Sequence, residues 1–538
     1  MAETLRHTLM SLQHSPFGRL MAWGGVGLIF FPLLLGLWLM LSPVLHGRSW
    51  LAFWLDGQWQ QALITTLTSS FIGSVGALLL CLLVVTGLYP GAGWQRYQRR
   101  LPVLLAVPHV AFATGSLFLF APTGWLARLG LGSLADGDPY GIGLGVILAL
   151  KEGWFLLWIA ATLLKRGDLQ RQLVVAYTLG YGRWHSAMVI LLPQLLPSLA
   201  WALLAVTAYG VSVVDMAIIL GPGNPPTLAV LAWQWLSDPD ARIQAKGMIA
   251  VLLLIVVLAG LSICGYLLWR LWKYCLLPMT GHRYGASGQR PLGWLALMMT
   301  VIGYLVLLLL LLWSVAGTWF YPELFPEVWT LASWLEADYA PLLTTFELAC
   351  VASLCGLVIV VVWIEWGPVH QGGFLWLPLL LPALPLTVGQ YGVLIALGLD
   401  GTFGGVVWSH LLWVIPYMLL ILEPAYRHLD SRLLVSARSL GLPGWRVLLS
   451  VKWPLLLRPL LAAVAIGFSV SVAQYLPTLY AGAGRFATVT TETVALSGGG
   501  DPRALAVQAL LQLLLPGSVF FIATSLGMLA GHYRQGLR

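Results

Sequence analysis

Charge is scarce in this chain. Of 538 residues only 9% are Asp, Glu, Lys or Arg, against roughly 25% in soluble globular proteins. That deficit excludes an ordinary soluble domain. Lysine is scarcer still. None of the five (Lys151, Lys165, Lys246, Lys273, Lys452) follows a glycine, so no Gly-Lys-Ser/Thr phosphate-binding loop exists. Cysteine is limited to Cys81, Cys264, Cys275, Cys350 and Cys355, with no CxxC pair, which points to structural thiols rather than a metal site or disulfides. There is no HExxH and no nucleophile elbow, so a membrane-embedded enzyme finds no support. The net charge of +8 is scattered over loops, which membrane topology explains better than nucleic acid does.

What is abundant is apolar sequence, 59% of the chain, in continuous runs of about 20 residues. In lipid the backbone must bond to itself, and runs that do not alternate favour helices over a barrel. The expected class is an all-α polytopic membrane protein with about twelve transmembrane helices. The first six spans are expected at 20–42, 62–87, 102–121, 141–164, 198–220 and 247–272. The second six are expected at 293–319, 342–364, 375–397, 404–423, 460–480 and 507–530. Arg6 and Arg19 precede the first run, which has no small-residue cleavage site and reads as a retained span.

Charge orients the bundle. With both termini cytoplasmic, 21 of the 28 Lys and Arg residues fall inside, among them Arg96, Arg99, Arg100, Lys165, Arg166, Arg427, Arg432 and Lys452. The other side collects Asp136, Asp138, Asp238, Asp240, Glu323, Glu327, Glu336 and Asp338.

A polar, Gly-rich linker at 273–292 divides the chain into a first half, 1–272, and a second, 293–538. The halves resemble each other. Thr65-Thr66 near the start of span two matches Thr344-Thr345 in span eight. Pro102 and Pro108 of span three match Pro378 and Pro385 of span nine, and Asp238-Pro239 matches Asp501-Pro502. Six spans per half make the repeat parallel, with a pathway between the halves.

The clearest repeat lies in the basic loops at about 165–197 and 424–459, each between the fourth and fifth spans of its half. One reads Val174-Val175-Ala176-Tyr177-Thr178-Leu179-Gly180, then Trp184 and Pro193. The other reads Val435-Ser436-Ala437-Arg438-Ser439-Leu440-Gly441, then Trp445 and Pro454. Gly and Pro are 13 positions apart in both, 193 − 180 and 454 − 441. Helix-favouring residues precede a glycine that can end the helix left-handed, and the proline marks a bend into the next span. The expected shape is a helix–turn–helix elbow on the membrane surface. An interfacial helix held by anionic lipid accounts for one such loop; two matched copies require more.

The pattern Ala-x-x-Leu-Gly, a gap, then Ile/Val-x-x-Pro resembles the cytoplasmic "EAA" loop of permeases from bacterial binding-protein-dependent ABC importers. The duplication resembles the fused ferric-iron and thiamine permease subclass, with a type I importer fold. The resemblance implies that Ala176, Tyr177, Leu179, Gly180, Trp184 and Pro193, with Ala437, Leu440, Gly441, Trp445 and Pro454, couple the chain to two separate ATP-binding subunits. It implies that a periplasmic solute-binding protein delivers a small molecule or ion. The chain itself would hold no cofactor, ATP–Mg belonging to the partner, and would sit in the inner membrane among lipid. The acid that names the motif is replaced by Val174 and Val435. Pro197 follows Pro193 by four residues, as the family pattern wants, whereas Pro459 follows Pro454 by five.

Ionisable residues inside spans are costly and mark function. Asp215, Glu347, Thr65, Thr344, Gln474 and Tyr475 are therefore candidates for the translocation pathway, and two acids suit a cationic or polar cargo. Lys151 and Glu152, adjacent in span four, are expected to compensate each other. His109 and His410 read as packed or hydrogen-bonded. Acids and histidines in separate spans also suit an ion-coupled secondary transporter, the competing reading.

Overall fold

The computed structural model describes residues 16–41, 44, 47–132, 138–165, 167–276, 293–368 and 372–535. Among the described residues the chain is predominantly helical, as the continuous apolar runs require. The helices of the first repeat are α1 (Pro16–Leu41), α2 (Gln58–Leu88), α3 (His109–Phe120), α4 (Ile142–Leu163), α5 (Leu192–Ser212) and α6 (Ala241–Leu276). Those of the second are α7 (Gly293–Ser314), α8 (Ala340–Trp366), α9 (Ala383–Leu397), α10 (Phe403–Arg427), α11 (Leu457–Val472) and α12 (Pro502–Gln535). Among the described residues, ten helices are long and apolar enough to cross a membrane, or twelve if each of two bent pairs is one span.

Proline and polar residues break several expected spans. The third does not begin at 102. A separate helix, Ala92–Ala106, holds Pro102, and α3 starts after Pro108, whose extended backbone caps it. The ninth bends by 112° between Leu380 and Ala383, at Pro382. Pro385, matched to Pro108 in the sequence, sits in the first turn of α9, where its missing N–H costs nothing. The fifth and eleventh spans stop at Ser212 and Val472, short of 220 and 480. Each is followed by a short helix, Asp215–Leu220 or Leu476–Gly482, and then by Leu228–Leu236 or Val489–Ser497. Pro477 at the start of Leu476–Gly482 cannot continue a hydrogen-bond ladder from α11. The seventh span ends at Ser314 rather than 319, and the chain then turns back, with Gly317 N–H donating to Val328 O at 2.7 Å. Of the expected linker, Lys273–Leu276 continues α6, and 277–292 lie outside the described residues.

The repeat is visible element by element. Thr227 and Thr488, 261 residues apart, each cap the helix that follows with a side-chain oxygen. Asp240 accepts the Arg242 N–H at 2.8 Å, and Asp501, again 261 residues on, accepts the Arg503 N–H at 2.9 Å. The structural partner of Asp501 is thus Asp240, not Asp238. The Arg503 guanidinium also bonds Asp501 and holds its carboxyl below the usual range.

Packing does not follow the division at 273–292. α1 packs on α9 and α8 of the second repeat, whereas α7 packs on α3 and α2 of the first as well as on α12. Ala22, Val26, Ile29 and Leu33 of α1 are buried with Val406, Leu412 and Val414 of the second repeat. Small residues allow the crossings. A Cβ on Gly36 would stand 1.8 Å from Gly389 O, and one on Gly115 would stand 2.5 Å from Val306.

Candidate functional site

Two features lie where the repeats offer functional surface: the paired elbows on the basic side and a polar cluster inside the bundle.

Each elbow begins with a helix, Gly167–Thr178 or Ser431–Ser439. The first is amphipathic. Leu169, Leu173 and Ala176, at i, i+4 and i+7, are buried against the bundle. Gly180 and Gly441 then adopt φ of 85° and 87°. The Gly180 N–H donates to Tyr177 O at 3.1 Å and the Tyr181 N–H to Ala176 O at 3.0 Å. The Gly441 N–H donates to Arg438 O at 2.8 Å and the Leu442 N–H to Ala437 O at 3.3 Å. Both turns close the orphan carbonyls of a helix end in the same way, and a left-handed residue is required for it. Short helices, Arg183–Ser186 and Gly444–Val447, follow, and each passes through one π turn, Ala187–Leu191 or Leu448–Lys452. Pro193 and Pro454 come just after, half-buried at the start of the next segment.

The expected coupling residues divide into two sets. Ala176 and Ala437 are buried, so they seat the elbow on the bundle rather than face outward. The reason is amphipathicity: small side chains occupy the inner face of a helix lying close to the spans. Leu440 is 84% exposed, Trp445 59%, and Leu179 and Trp184 51% each, large apolar groups with no packing in this chain to justify their exposure. Val174, in the place of the expected acid, is exposed with them.

Each elbow is tied to the basic-side end of a long helix. Arg183 donates to Tyr89 O at 3.0 Å, just past α2, and also interacts with Tyr177, whose phenol burial pushes up and Arg183 draws back down. Gln194 on α5 bonds Gln172 on the elbow helix at 2.7 Å. In the second repeat Lys452 pairs with Glu365 of α8 at 2.7 Å and lies 4.8 Å from the Tyr426 ring centroid. Arg183 is thus engaged within the chain, while Arg446 lies over the exposed Trp445 ring at 5.0 Å.

Inside the bundle, Lys151 and Glu152 feel each other's charge, as expected, but their side chains do not pair directly. Successive helical residues diverge by about 100°, and here they serve different partners. Lys151 donates to the carbonyls of Leu104, Leu105 and Val107, satisfying the open end of Ala92–Ala106 where Pro108 interrupts the chain. Glu152 bonds His109 Nε2 at 2.9 Å, and the His109 ring lies 4.7 Å from that of Tyr209. Asp215, first residue of its short helix, accepts the Met216 N–H at 2.9 Å and interacts electrostatically with His109. Tyr475 of the second repeat, the residue ahead of Leu476–Gly482, lies within electrostatic range of Asp215, and Tyr417 of α10 within that of Glu152, with no hydrogen bond joining either pair among the described residues.

Of the pathway candidates, Asp215 and Tyr475 are the two placed within electrostatic range of each other. Thr65 is buried and donates to Pro139 O at 3.1 Å; Thr344 and Gln474 donate to carbonyls one turn back, Ala340 O and Val470 O. Glu347 lies on an exposed stripe of α8 with Leu343, Val351 and Leu354, on the outside of the bundle. Tyr209, Tyr417 and Glu152 complete the cluster. Asp215 was visible as a charge within an apolar run, but tyrosines carry no signal in a chain with 18 of them. His410 is packed as expected, its two ring nitrogens bonded to Ser471 and Thr478 at 2.8 and 2.9 Å.

A duplicated helical bundle, with matched elbows on one face and polar groups at the meeting of the repeats, is the build of a membrane permease. Comparison narrows the class. The chain is 45% identical over 538 residues, the full length of both, to the inner membrane ABC transporter permease protein YnjC of Escherichia coli. It is 27% identical over 506 residues, 87% of this chain and 89% of the relative, to the thiamine transport system permease protein ThiP of Escherichia coli. A shorter match, 28% identical over 123 residues, covers 20% of this chain and 52% of the molybdenum transport system permease protein ModB of Haemophilus influenzae. No family model and no solved structure matches. The chain belongs to the ABC transporter permeases of the bacterial inner membrane.

Proposed function

We propose that this chain is the transmembrane permease subunit of an ATP-driven importer, both permease halves in one polypeptide. The carrying observation is the pair of exposed apolar couples, Leu179 with Trp184 and Leu440 with Trp445, presented by identical left-handed turns. Two ATP-hydrolysing subunits dock there, one per elbow, with both elbows and both termini in the cytoplasm. The basic residues around the elbows support that orientation. Leucine and tryptophan supply contact area in the manner of interface anchors. ATP–Mg is held by those subunits, because this chain has no phosphate-binding loop. A periplasmic binding protein delivers a small solute to the opposite face. Closure of the ATPase pair draws the elbows together and rocks the repeats, opening the pathway between them outward; hydrolysis resets it.

The His109–Glu152 pair supports a second reading, a proton-coupled secondary transporter, since His–carboxylate pairs inside a bundle can carry protons. Energy source separates the two. In proteoliposomes, the chain purified with its ATPase subunits should move solute only with ATP on the elbow side. Solute movement driven by an ion gradient, with no ATPase subunit present, contradicts the importer reading.

A further inference from the structure

We infer that the basic-side end of α6 is a binding site for an anionic phospholipid, whose phosphodiester sits between Arg270 and Lys273. The site lies apart from the pathway candidates and the elbows, and it stands whichever energy source drives transport.

Position is the first argument. α6 is 36 residues long, about 54 Å at 1.5 Å per residue, against a hydrocarbon layer of about 30 Å. Near its start Lys246 pairs with Asp56 at 2.7 Å, and that charge pair marks the acid-side edge of the span. Trp269 stands 23 residues further along, 269 − 246, or about 35 Å. The turn from Trp269 to Tyr274 therefore falls among the headgroups of the opposite leaflet. There the helix stands clear of the bundle over most of its circumference, with Ile263, Tyr266, Leu267, Leu268, Leu271 and Tyr274 all exposed.

Chemistry is the second. Tyr266, Trp269, Arg270, Lys273 and Tyr274 line a hollow of about 420 Å³. The Arg270 guanidinium lies 5.9 Å from the Tyr266 ring centroid and the Lys273 ammonium 5.8 Å from that of Trp269, the two rings being 6.1 Å apart. The rings hold both cations on one face without neutralising them. Neither cation forms an ion pair among the described residues. No Asp or Glu occurs in the sequence between Asp240 and Glu323. Two unpaired cations flanked by indole and phenol rings at headgroup depth are the chemistry that takes lipid phosphate. Val256, Ile263 and Leu267, exposed toward the bilayer centre, give the acyl chains an apolar track.

Asymmetry is the third. The positions 261 residues beyond Tyr266, Trp269, Arg270, Lys273 and Tyr274 are Gly527, Ala530, Gly531, Arg534 and Gln535, which supply no ring. In that repeat Arg458 of α11 donates to Gly527 O at 2.9 Å and ties α12 to the bundle. The position 261 residues before Arg458 is Pro197, which has no side chain to make such a bond. One helix end is thus held by protein, and its counterpart is left to lipid.

The test uses the full chain in detergent, offered equal amounts of dioleoyl phosphatidylglycerol and dioleoyl phosphatidylcholine, with bound lipid counted by native mass spectrometry. Phosphatidylglycerol should be retained in preference. Arg270→Gln combined with Lys273→Gln should weaken that retention by about tenfold or more. Tyr266→Leu with Trp269→Leu, which keeps both charges, should weaken it severalfold. Neither pair should change the lipid-free unfolding midpoint, because this end of the helix is exposed. Arg99→Gln with Arg100→Gln removes two exposed cations from the same side of the membrane and should leave retention unchanged. Free glycerol 1-phosphate in large excess should not displace the lipid. The inference is overturned if the two lipids are retained equally, if the Arg270 and Lys273 variant keeps its preference, or if the Arg99 and Arg100 variant loses as much. Displacement by glycerol 1-phosphate would overturn it too, by making the ligand a soluble phosphate ester.

Discussion

The Thr66 hydroxyl accepts the Leu228 amide proton at 2.7 Å, fixing the start of helix Leu228–Leu236 to α2. Thr345 on α8 accepts the Val489 amide proton at 3.0 Å in the same way. The basic-side ends of α2 and α8 carry the anchors of the two elbows, Tyr89 and Glu365. Each helix thus joins an elbow to the inner helices on the opposite face, about 30 Å away at 1.5 Å per residue. Replacing Thr66 or Thr345 with valine keeps the shape and leaves a buried N–H unpaired. The expected cost is about 1–3 kcal/mol each, read as a lower unfolding midpoint in detergent. ATP-driven uptake should fall more than ATPase recruitment does. Equal loss of both would show that the threonines only hold the fold.

Lys452 and Glu365 form a nearly buried pair. Lys452→Met strands the carboxylate and should destabilise the chain by about 3 kcal/mol or more. Lys452→Met with Glu365→Leu removes both charges and should recover most of that loss. A double-mutant cycle by chemical denaturation in detergent measures the difference; strict additivity would mean the pair contributes nothing.

Gly180 and Gly441 stand at φ of 85° and 87°, where a side chain costs about 1–2 kcal/mol. Valine at Gly441 should leave the bundle inserted and folded, because nothing lies within 4 Å of a Cβ there. The strain falls on the turn, so uptake should drop sharply at unchanged membrane abundance. Normal uptake in Gly441→Val would count against the turn geometry as a requirement.

Gly36 meets Gly389 backbone to backbone. Gly36→Leu cannot be accommodated without parting α1 from α9, whereas Gly24→Leu has open space around its Cβ. The first should abolish the folded, monodisperse protein on size-exclusion chromatography; the second should not.

The elbows were legible in the residues because glycine and proline mark backbone geometry directly, and both copies folded with the left-handed turn expected of them. Span number and helical class were legible for the same kind of reason, since twenty apolar residues have few alternatives. The breaks at Ser212 and Val472 were hidden, because hydropathy continues through Val213-Val214 and into Leu476. The crossing of α1 onto α9 was hidden too: Gly36 and Gly389 reveal their contact only when brought together. Of the pathway candidates, sequence did not separate Asp215, inside the bundle, from Glu347, on its exposed outer face, and outside that set it did not show that Lys151 and Glu152 serve different partners. Hydropathy records that a charge lies in a span but not the side toward which it points.

The central claim is that the two elbows are the docking points of separate ATPase subunits, and stoichiometry tests it most directly. The chain, tagged and extracted with mild detergent, should co-purify with two ATP-hydrolysing subunits by native mass spectrometry. Changing Leu179, Trp184, Leu440 and Trp445 to serine should leave a stable permease alone. Absence of any ATPase from the wild-type preparation, or its full retention by the fourfold variant, would contradict the account.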